Sequence, residues 1–275
     1  MTRIALYQSN TGIDPAANAH ALGDAVEQAA AGGAEMLFTP EMSGLLDRDS
    51  ARAANVLRAQ DQDRVLAATR EAAARHRIWL HIGSLAVLVD DGKVANRGFV
   101  IDREGEVRAT YDKLHLFDVD LPTGESWRES NVYSAGKGVV LVNGTPVGKL
   151  GLTICYDLRF PGLFARLAES DADVIAVPAA FTVPTGKAHW HVLLRARAIE
   201  AGLFVVAAAQ VGHHEDGRNT FGHSLVVDPW GEVLLDMAEQ KGVSFAEIDL
   251  KRISDVRSRI PALTHRRPIP DPLIL

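Results

Sequence analysis

The stretch GLTICYDLRFPG, residues 151–162, joins an apolar strand to a helix within a few residues. Val147–Ile154 is an apolar run typical of a buried strand, and Pro161 is well suited to the first turn of a helix. The short turn between them contains Cys155, the only cysteine of the chain. A strand, a tight turn and a helix in this order predict an α/β fold.

Strand and helix patterns alternate along the rest of the chain as well. Apolar runs bounded by turn residues predict further strands at Ile4–Gln8, Glu35–Thr39, Ile78–Gly83, Leu85–Val89, Val94–Ile101, Glu106–Tyr111, Val139–Val142, Val174–Val177, Phe204–Ala209, Ser224–Val227, Val233–Leu235 and Val243–Ile248. Composition and end signals predict helices at Pro15–Ala31, Ala51–His76, Pro161–Glu169 and Ala188–Ala201. No repeat or linker interrupts the pattern, which predicts one α/β domain, 1–275, with mixed sheets and outer helices.

The segments outside these helices and strands include turns, one long irregular segment and a C-terminal tail. Asp90-Asp91-Gly92 and residues 102–105 are hairpin turn signals. Residues 116–138 form a long, mostly irregular segment, and such a segment inside a compact domain is usually functional. Residues 266–275 are rich in proline and predict an extended C-terminal tail.

Bulk composition excludes several classes of protein. The 275 residues are 47% hydrophobic and 23% charged, as in globular proteins, and the formal net charge of −6 argues against general binding to nucleic acid or anionic membranes. No segment approaches the roughly 20 apolar residues of a membrane span, and the N-terminal MTRIALYQSN lacks a signal-peptide core. We therefore expect a cytoplasmic protein without nucleic-acid or membrane partners.

Cys155 has two possible roles. A lone cysteine at a strand end is commonly a small buried hydrophobe. On a tight strand-to-helix turn, however, its sulfur would lie at the sheet edge, where backbone N–H groups can stabilise an oxyanion. A nucleophilic thiol needs a base or a positive neighbour.

Histidines are the usual partners of such a thiol, but none has a local signature. His189 and His191 lie on a predicted helix, where packing or capping is expected, and His213-His214 lie in a polar loop where we expect solvation. No HExxH-type pattern is present, and a single cysteine excludes a disulfide and a cysteine-rich zinc site. We therefore predict no metal site.

Three charged residues are better candidates. Glu41 follows the end of a predicted buried strand, Lys113 lies between a hairpin strand and the irregular segment, and Glu129 lies within that segment. Each alone could be an ordinary surface residue.

Together, the sequences around these positions resemble a known family. FTPEMS at 38–43, YDKLHLF at 111–117 and CYDLRFP at 155–161 resemble, in order and separation, the three signature blocks of the nitrilase superfamily, the carbon–nitrogen hydrolases. Residues 113–130, 178–200, 205–232 and 264–268 are similar to the branch containing deaminated glutathione amidases and ω-amidases.

The resemblance implies a fold, an assembly and a set of catalytic roles. The fold is a four-layer αββα sandwich, and the assembly is a homodimer or a higher even homo-oligomer formed through outer helices and the tail. Glu41 is the general base, Lys113 the cationic stabiliser, Cys155 the nucleophile and Glu129 a second carboxylate, while the backbone N–H of Tyr156 joins Lys113 in stabilising the oxyanion. No metal or cofactor is required.

The resemblance also implies a substrate class. Arg159, Phe181 and Thr185 line the acid-binding end of the pocket, so the substrate is a small molecule with a carboxylate at one end and a primary-amide-like C–N bond at the other. Arg159 could instead form a structural ion pair with Asp157 or Glu169. Deaminated glutathione is the first choice and α-ketoglutaramate or succinamate, the ω-amidase substrates, the second. Nitrilase, N-acyltransferase and non-catalytic scaffold are further alternatives.

Overall fold

The computed structural model describes residues 1–89, 92–120, 124 and 126–274. The predicted turn at Asp90-Asp91, the irregular-segment residues 121–123 and 125, and the last residue of the tail lie outside this range. Seventeen strands are present within it: β1 Thr2–Gln8, β2 Met36–Phe38, β3 Trp79–Leu88, β4 Val94–Ile101, β5 Val107–Asp112, β6 Asp118–Asp120, β7 Ser126–Arg128, β8 Tyr133–Ser134, β9 Leu141–Thr145, β10 Gly148–Leu152, β11 Val174–Ala176, β12 Phe204–Ala207, β13 Val211–His213, β14 Asn219–Phe221, β15 Leu225–Val227, β16 Val233–Asp236 and β17 Gly242–Ile248. The α-helices there are α1 Pro15–Ala31, α2 Ser50–Ala54, α3 Arg64–His76, α4 Pro161–Glu169, α5 Val183–Ala201 and α6 Lys251–Arg259.

Two large mixed sheets form the centre of the fold. The first has seven strands, in the order β17-β1-β2-β3-β4-β5 with β8 pairing with β4, and the second has six, in the order β16-β15-β12-β11-β10-β9. In each, three neighbouring strands run parallel, β1-β2-β3 and β10-β11-β12. The other pairings are antiparallel, except that the short strand β8 runs parallel to β4. Parallel neighbours need helical crossovers, which explains why strands and helices alternate along the chain.

Side-chain alternation in the strands shows how the layers stack. In β1, Ile4 and Leu6 join the core that contains the second sheet, whereas Ala5 between them joins the core under α1 and α3. Leu167 of α4 lies against Gly151 of β10 in the second sheet, and Trp190 of α5 belongs to the same core. Because successive strand residues point to opposite faces, this pattern identifies the four-layer αββα sandwich, and the predicted fold class is confirmed.

The predicted helix at Ala51–His76 is wrong, because the structure contains α2, a connection with only a short 3₁₀ turn at Gln60–Gln62, and α3. The connection pairs with β3: the Leu88 N–H donates to the Arg58 carbonyl at 2.9 Å, and Ala59 forms a bridge with Leu88. Asp63 then begins α3 by accepting a hydrogen bond from the Leu66 N–H at 2.8 Å. Tertiary pairing with β3 therefore overrides the local helical propensity.

Other elements differ in extent from the prediction. The two predicted strands at 78–89 form the single strand β3, whose register shifts between Ile82 and Leu85. Helix α5 begins at Val183 rather than Ala188, because Pro184 is accommodated in its first turn. The β13–β14 hairpin and α6 were not predicted, and the segment predicted as irregular contains the β6–β7 pair. Among the helices described, none has the length and apolarity needed to cross a membrane.

Candidate active site

Cys155 lies on the predicted tight turn between β10 and α4. It begins a 3₁₀ turn, Cys155–Arg159, and its backbone has a φ of 48°, in the left-handed region that non-glycine residues rarely adopt. Its N–H donates to the Pro178 carbonyl at 2.8 Å, which holds the turn against the end of β11. The sulfur-bearing residue is buried, with 8% of its surface exposed.

Glu41 follows β2 and is buried beside this turn. Its carboxylate lies beside the Cys155 thiol, and its Oε1 accepts from Lys113 Nζ at 2.9 Å. Oε2 accepts from the Ala180 N–H, also at 2.9 Å. A side chain at Gly83 would collide with the Thr39 carbonyl, so glycine is needed for the strand that precedes Glu41 to lie this close to β3.

Lys113, directly after β5, lies between two carboxylates. Its Nζ donates to Glu41 and to both oxygens of Glu129, at 3.1 and 2.9 Å, and its side chain is only 2% exposed. Glu129 Oε2 also accepts from the Phe117 N–H, which ties the irregular segment to the ammonium. Glu41, Lys113, Glu129 and Cys155, distant in sequence, thus form one buried cluster.

The cluster fixes the protonation states of its members. Burial would raise the pKa of Glu41, but the charge and hydrogen bond of Lys113, with the bonds from Cys155 and Asn96, lower it below its usual value. Burial opposes the charge on Lys113, yet Glu129 and Glu41 hold its pKa well above the usual value. Burial and the Glu41 charge raise the pKa of the Cys155 thiol well above its usual range. The resting cluster is a carboxylate, an ammonium and a neutral thiol.

Asn96 of β4 is a member of the cluster that was not predicted. Its Nδ2 donates to Glu41 Oε1 at 2.9 Å and to Glu129 Oε1 at 3.1 Å, so it bridges the two carboxylates. Its buried Oδ1 has no hydrogen-bond partner among the described residues. The sequence contained one indication of this role: Asn96 is a polar residue within an apolar strand, and buried polar side chains are normally hydrogen-bonded to a specific partner.

A second buried network holds the nucleophile turn to the strand that carries the lysine. Asp157 Oδ2 accepts from the Tyr111 hydroxyl at 2.7 Å and from the Ile154 N–H at 2.9 Å. Its Oδ1 accepts from the His115 N–H at 3.1 Å and contacts His115 Nδ1 at 2.6 Å. Residues on either side of Lys113 and of Cys155 therefore share one carboxylate.

Two of the three predicted substrate-binding residues lie together. The Arg159 guanidinium lies 5.4 Å from the centroid of the Phe181 ring and 3.3 Å from His189 Nδ1. The ion-pair alternative for Arg159 is not observed within the described residues: Asp157 has the partners given above, and Glu169 pairs with Arg166 and Arg266.

Thr185 and the histidines are placed differently. Thr185, in the first turn of α5, shares a hydrogen bond of 2.7 Å with Thr182. The predicted solvation of His214 is wrong: it is fully buried between the Thr11 carbonyl and the Thr220 hydroxyl, and burial lowers its pKa. His213 is exposed as predicted, and His191 packs edge-on against the rings of Phe221 and His223 and also contacts Asp236.

Comparison with known proteins agrees with this arrangement. The sequence profile of the carbon-nitrogen hydrolase family matches residues 3–258. The chain belongs to this family. Its members hydrolyse carbon–nitrogen bonds, and the nitrilase-superfamily resemblance seen in the three signature blocks is thereby confirmed.

Three relatives illustrate the similarity of this carbon–nitrogen hydrolase. It is 40% identical to the nitrilase and fragile histidine triad fusion protein NitFhit of Caenorhabditis elegans over 96% of its own length and 60% of that protein's, and the NitFhit crystal structure superposes with a TM-score of 0.89 at 39% identity, covering 97% of this chain and 65% of that one. It is 38% identical to the deaminated glutathione amidase of Yersinia enterocolitica, covering 86% of this chain and 82% of the relative. A mutant amidase from Nesterenkonia sp. AN1, with acrylamide added to its active site cysteine, is 26% identical with a TM-score of 0.79, covering 95% and 98%.

The chain spans only 60% of the length of the fusion protein, so its similarity to NitFhit supports membership of the family but not a shared activity. Amidases recur among the relatives that the chain covers more fully, and amidase function is therefore supported for this carbon–nitrogen hydrolase.

Proposed function

We propose that the protein is a thiol amidohydrolase in which Glu41, Lys113 and Cys155 form the catalytic triad. One observation carries the proposal: the only thiol of the chain lies beside a buried carboxylate that also binds a buried ammonium. A purely structural ion pair would not require the thiol, nor the left-handed backbone at Cys155.

The protonation states determine how the thiol is activated. The neutral thiol must lose its proton to attack, and Glu41 is the anion in contact with it. As Sγ forms a bond to the amide carbon, the proton moves to Glu41 and the carbonyl oxygen becomes an oxyanion. The Lys113 ammonium and the Tyr156 N–H stabilise that charge, and loss of one such donor typically costs about 3–4 kcal/mol.

The two halves of the reaction use the same base. The C–N bond breaks as Glu41 returns the proton to the departing amine, leaving a thioester on Cys155. Water then attacks the thioester carbon, Glu41 takes a proton from that water, and the acid is released as the thiol regains its proton. Glu129 contributes by holding Lys113 through both of its oxygens. Every proton is accounted for by the cluster, and no metal or cofactor is invoked.

We further propose deaminated glutathione as the substrate. The proposal rests on the deaminated glutathione amidases among the relatives and on Arg159, whose planar guanidinium suits a substrate carboxylate. The scissile amide of deaminated glutathione is secondary and its leaving amine is a dipeptide, whereas α-ketoglutaramate has a primary amide and releases ammonia. The primary amide expected from the sequence thus applies to the ω-amidase alternative.

The amine product provides the test. The purified protein is given each substrate separately, and keto acid, dipeptide and ammonia are measured, with Cys155→Ala as the blank. Higher kcat/KM for deaminated glutathione supports the proposal, and higher kcat/KM for α-ketoglutaramate would assign ω-amidase activity instead. No Cys155-dependent product from either would refute both assignments and direct the assay to nitriles.

The thioester has its own test, which also detects acyl transfer. Hydroxylamine added during turnover should capture the acyl group as a hydroxamate, because it competes with water for the thioester. The matched variants are Lys113→Met and Glu41→Gln, which should form neither hydroxamate nor acid. Capture of physiological amines at the expense of hydrolysis would identify an N-acyltransferase.

The proposed assembly is a homodimer or a higher even homo-oligomer. Large apolar side chains are exposed on α5, at Val192 and Ile199, and in the tail, at Ile269 and Leu273. Light scattering coupled to size exclusion tests the proposal, and a monomeric mass at micromolar concentration would contradict it. Cytoplasmic location remains a prediction from the sequence.

A further inference from the structure

Two histidines and an aspartate converge on three different segments of the chain, and the proposed chemistry uses none of the three. His191 lies in α5, His223 lies two residues before the start of β15, and Asp236 ends β16. The antiparallel pairing of β15 with β16 brings residues 223 and 236 near each other, because Leu225 pairs with Asp236. Helix α5 supplies the third side chain from the outer layer.

The polar atoms of the three side chains are spaced as ligands of one ion could be. His191 Nε2 lies 3.0 Å from Asp236 Oδ2, and His223 Nδ1 lies 2.9 Å from Asp236 Oδ1. One ligand atom from each residue lies within 4.8 Å of the others. A tetrahedral zinc ion with bonds of about 2.0–2.1 Å places its ligand atoms roughly 3.3 Å apart. Asp236 Oδ2 already lies 3.0 Å from His191 Nε2 and 3.2 Å from His223 Nδ1.

The backbone conformation of His223 and the hydrogen bonds around the three residues restrict their positions. His223 has a φ of 55°, its N–H donates to the Ala238 carbonyl at 2.7 Å, and its carbonyl accepts from Trp190 Nε1 at 2.8 Å. The Trp190 bond ties the segment before β15 to the helix residue next to His191. Asp236 Oδ1 also accepts from the Ala238 N–H at 2.8 Å, which orients the carboxylate as the outer partners of metal ligands do.

The three side chains are partly exposed to solvent. Side-chain exposures are 36% for His191, 22% for His223 and 33% for Asp236, so an ion could enter and keep water in a fourth position. Three protein ligands with one open position are a common zinc arrangement. Binding requires each imidazole to turn a lone pair to the ion, by moving its proton to the other ring nitrogen or releasing it to solvent.

We propose that His191, His223 and Asp236 form a binding site for a divalent transition-metal ion of the zinc class, separate from the catalytic cluster. The alternative is a hydrogen-bonded histidine–aspartate–histidine group that holds α5 to the second sheet without an ion. The two differ in whether Zn²⁺ binds with one-to-one stoichiometry through these side chains.

The experiment is calorimetric titration of the chelator-treated full-length protein with ZnCl₂ at neutral pH. Cys155→Ala is the parent, because a thiol could bind zinc on its own. His191→Gln and Asp236→Asn each remove one ligand, and Asp236→Asn retains an oxygen for the Ala238 N–H. His20→Gln is the matched control, since His20 also faces an aspartate, Asp24, at 3.8 Å but has no third ligand near it in the described residues.

The expected result is one saturable zinc site in the parent and in the His20→Gln variant, weakened at least about tenfold in His191→Gln and in Asp236→Asn. Zinc should also raise the Tm of the parent but not of those two variants, provided circular dichroism shows all of them folded. No saturable binding by the parent, or equal binding by all variants, would overturn the proposal. A variant that does not fold leaves the other to decide the outcome.

Discussion

Replacing Lys113 by methionine should expose how strongly the active-site cluster depends on its cation. The Nζ bonds to Glu41 and Glu129 would be lost, and both carboxylates would remain close together, bridged only by Asn96 Nδ2. Methionine keeps a similar length of apolar chain, so the change removes charge more than volume. With Lys113 2% and Glu41 5% exposed, water cannot easily replace the ammonium.

The magnitude follows from burial. Removing one partner of a buried ion pair typically costs about 3–5 kcal/mol of unfolding free energy, since it leaves an uncompensated charge. We expect a loss in this range at pH 8. The cost should be smaller in acid, because a carboxylate deprived of its cation can become neutral by taking up a proton.

The pH dependence has a definite sign. In the parent, Lys113 holds the pKa of Glu41 below its usual value, so this carboxylate contributes stability above its unfolded pKa, about 4.3, and loses it as pH falls through the folded pKa. Without the cation, burial raises the pKa of Glu41, and the variant loses stability as pH rises from about 4.3 through the new folded pKa. The difference in unfolding free energy must therefore grow with pH.

Urea unfolding followed by circular dichroism at pH 5, 6, 7 and 8 would measure this difference. Lys137→Met is the matched control, because Lys137 is exposed and lies in the same long segment between β5 and β9. Its effect should stay within about 0.5 kcal/mol at every pH. A Lys113→Met penalty that is constant from pH 5 to 8, or no larger than that of the control, would refute the reasoning.

Three further results are expected. Tyr111→Phe removes a hydroxyl donor to Asp157 and should lower the urea unfolding free energy by about 1.5–3 kcal/mol, whereas no loss would show that Asp157 relaxes toward another donor. Gly83→Ala should cost about 1–3 kcal/mol and lower kcat by displacing the strand end before Glu41, and an alanine variant with unchanged kcat would contradict this close approach. The pKa of Glu41 lies below its ordinary value and that of Cys155 well above 9.0, so the pH profile of kcat/KM should be flat between about pH 5 and 9. A rise or fall of kcat/KM within that range would contradict the assigned protonation states.

The sequence allowed prediction of the elements whose local patterns agree with their environment. The predicted bounds of β17 match closely, because its apolar residues form one short run in which Val243 and Phe245 join one core and Ala246 and Ile248 the other. The break between α2 and α3 could not be predicted, since it depends on Arg58 and Ala59 pairing with Leu88, a contact between distant segments. The prediction that His214 is solvated was wrong for the same reason. Its neighbours in the sequence are polar and suggest exposure to solvent, but in the fold Thr11 and Thr220 enclose it.

The candidate active site was also predictable from local sequence only in part. Strand ends and a turn identified Glu41 and Cys155 as candidates, but their convergence was expected only from the resemblance to a family. Asn96 was given no role, and Asp157 was considered only as an ion-pair partner of Arg159. The importance of both lies in which donors and acceptors they join across the two sheets. No spacing in the sequence encodes those pairs.

The charge distribution explains why the cluster needs both carboxylates. With Glu41 alone, Lys113 would form a neutral pair, and transfer of the thiol proton to Glu41 would leave the ammonium beside the forming oxyanion. Glu129 adds a second negative charge, which holds Lys113 protonated throughout that transfer and fixes its position through two oxygens. The ammonium can therefore stabilise the oxyanion without acting as the acid, and the proton stays available on Glu41 for the departing amine.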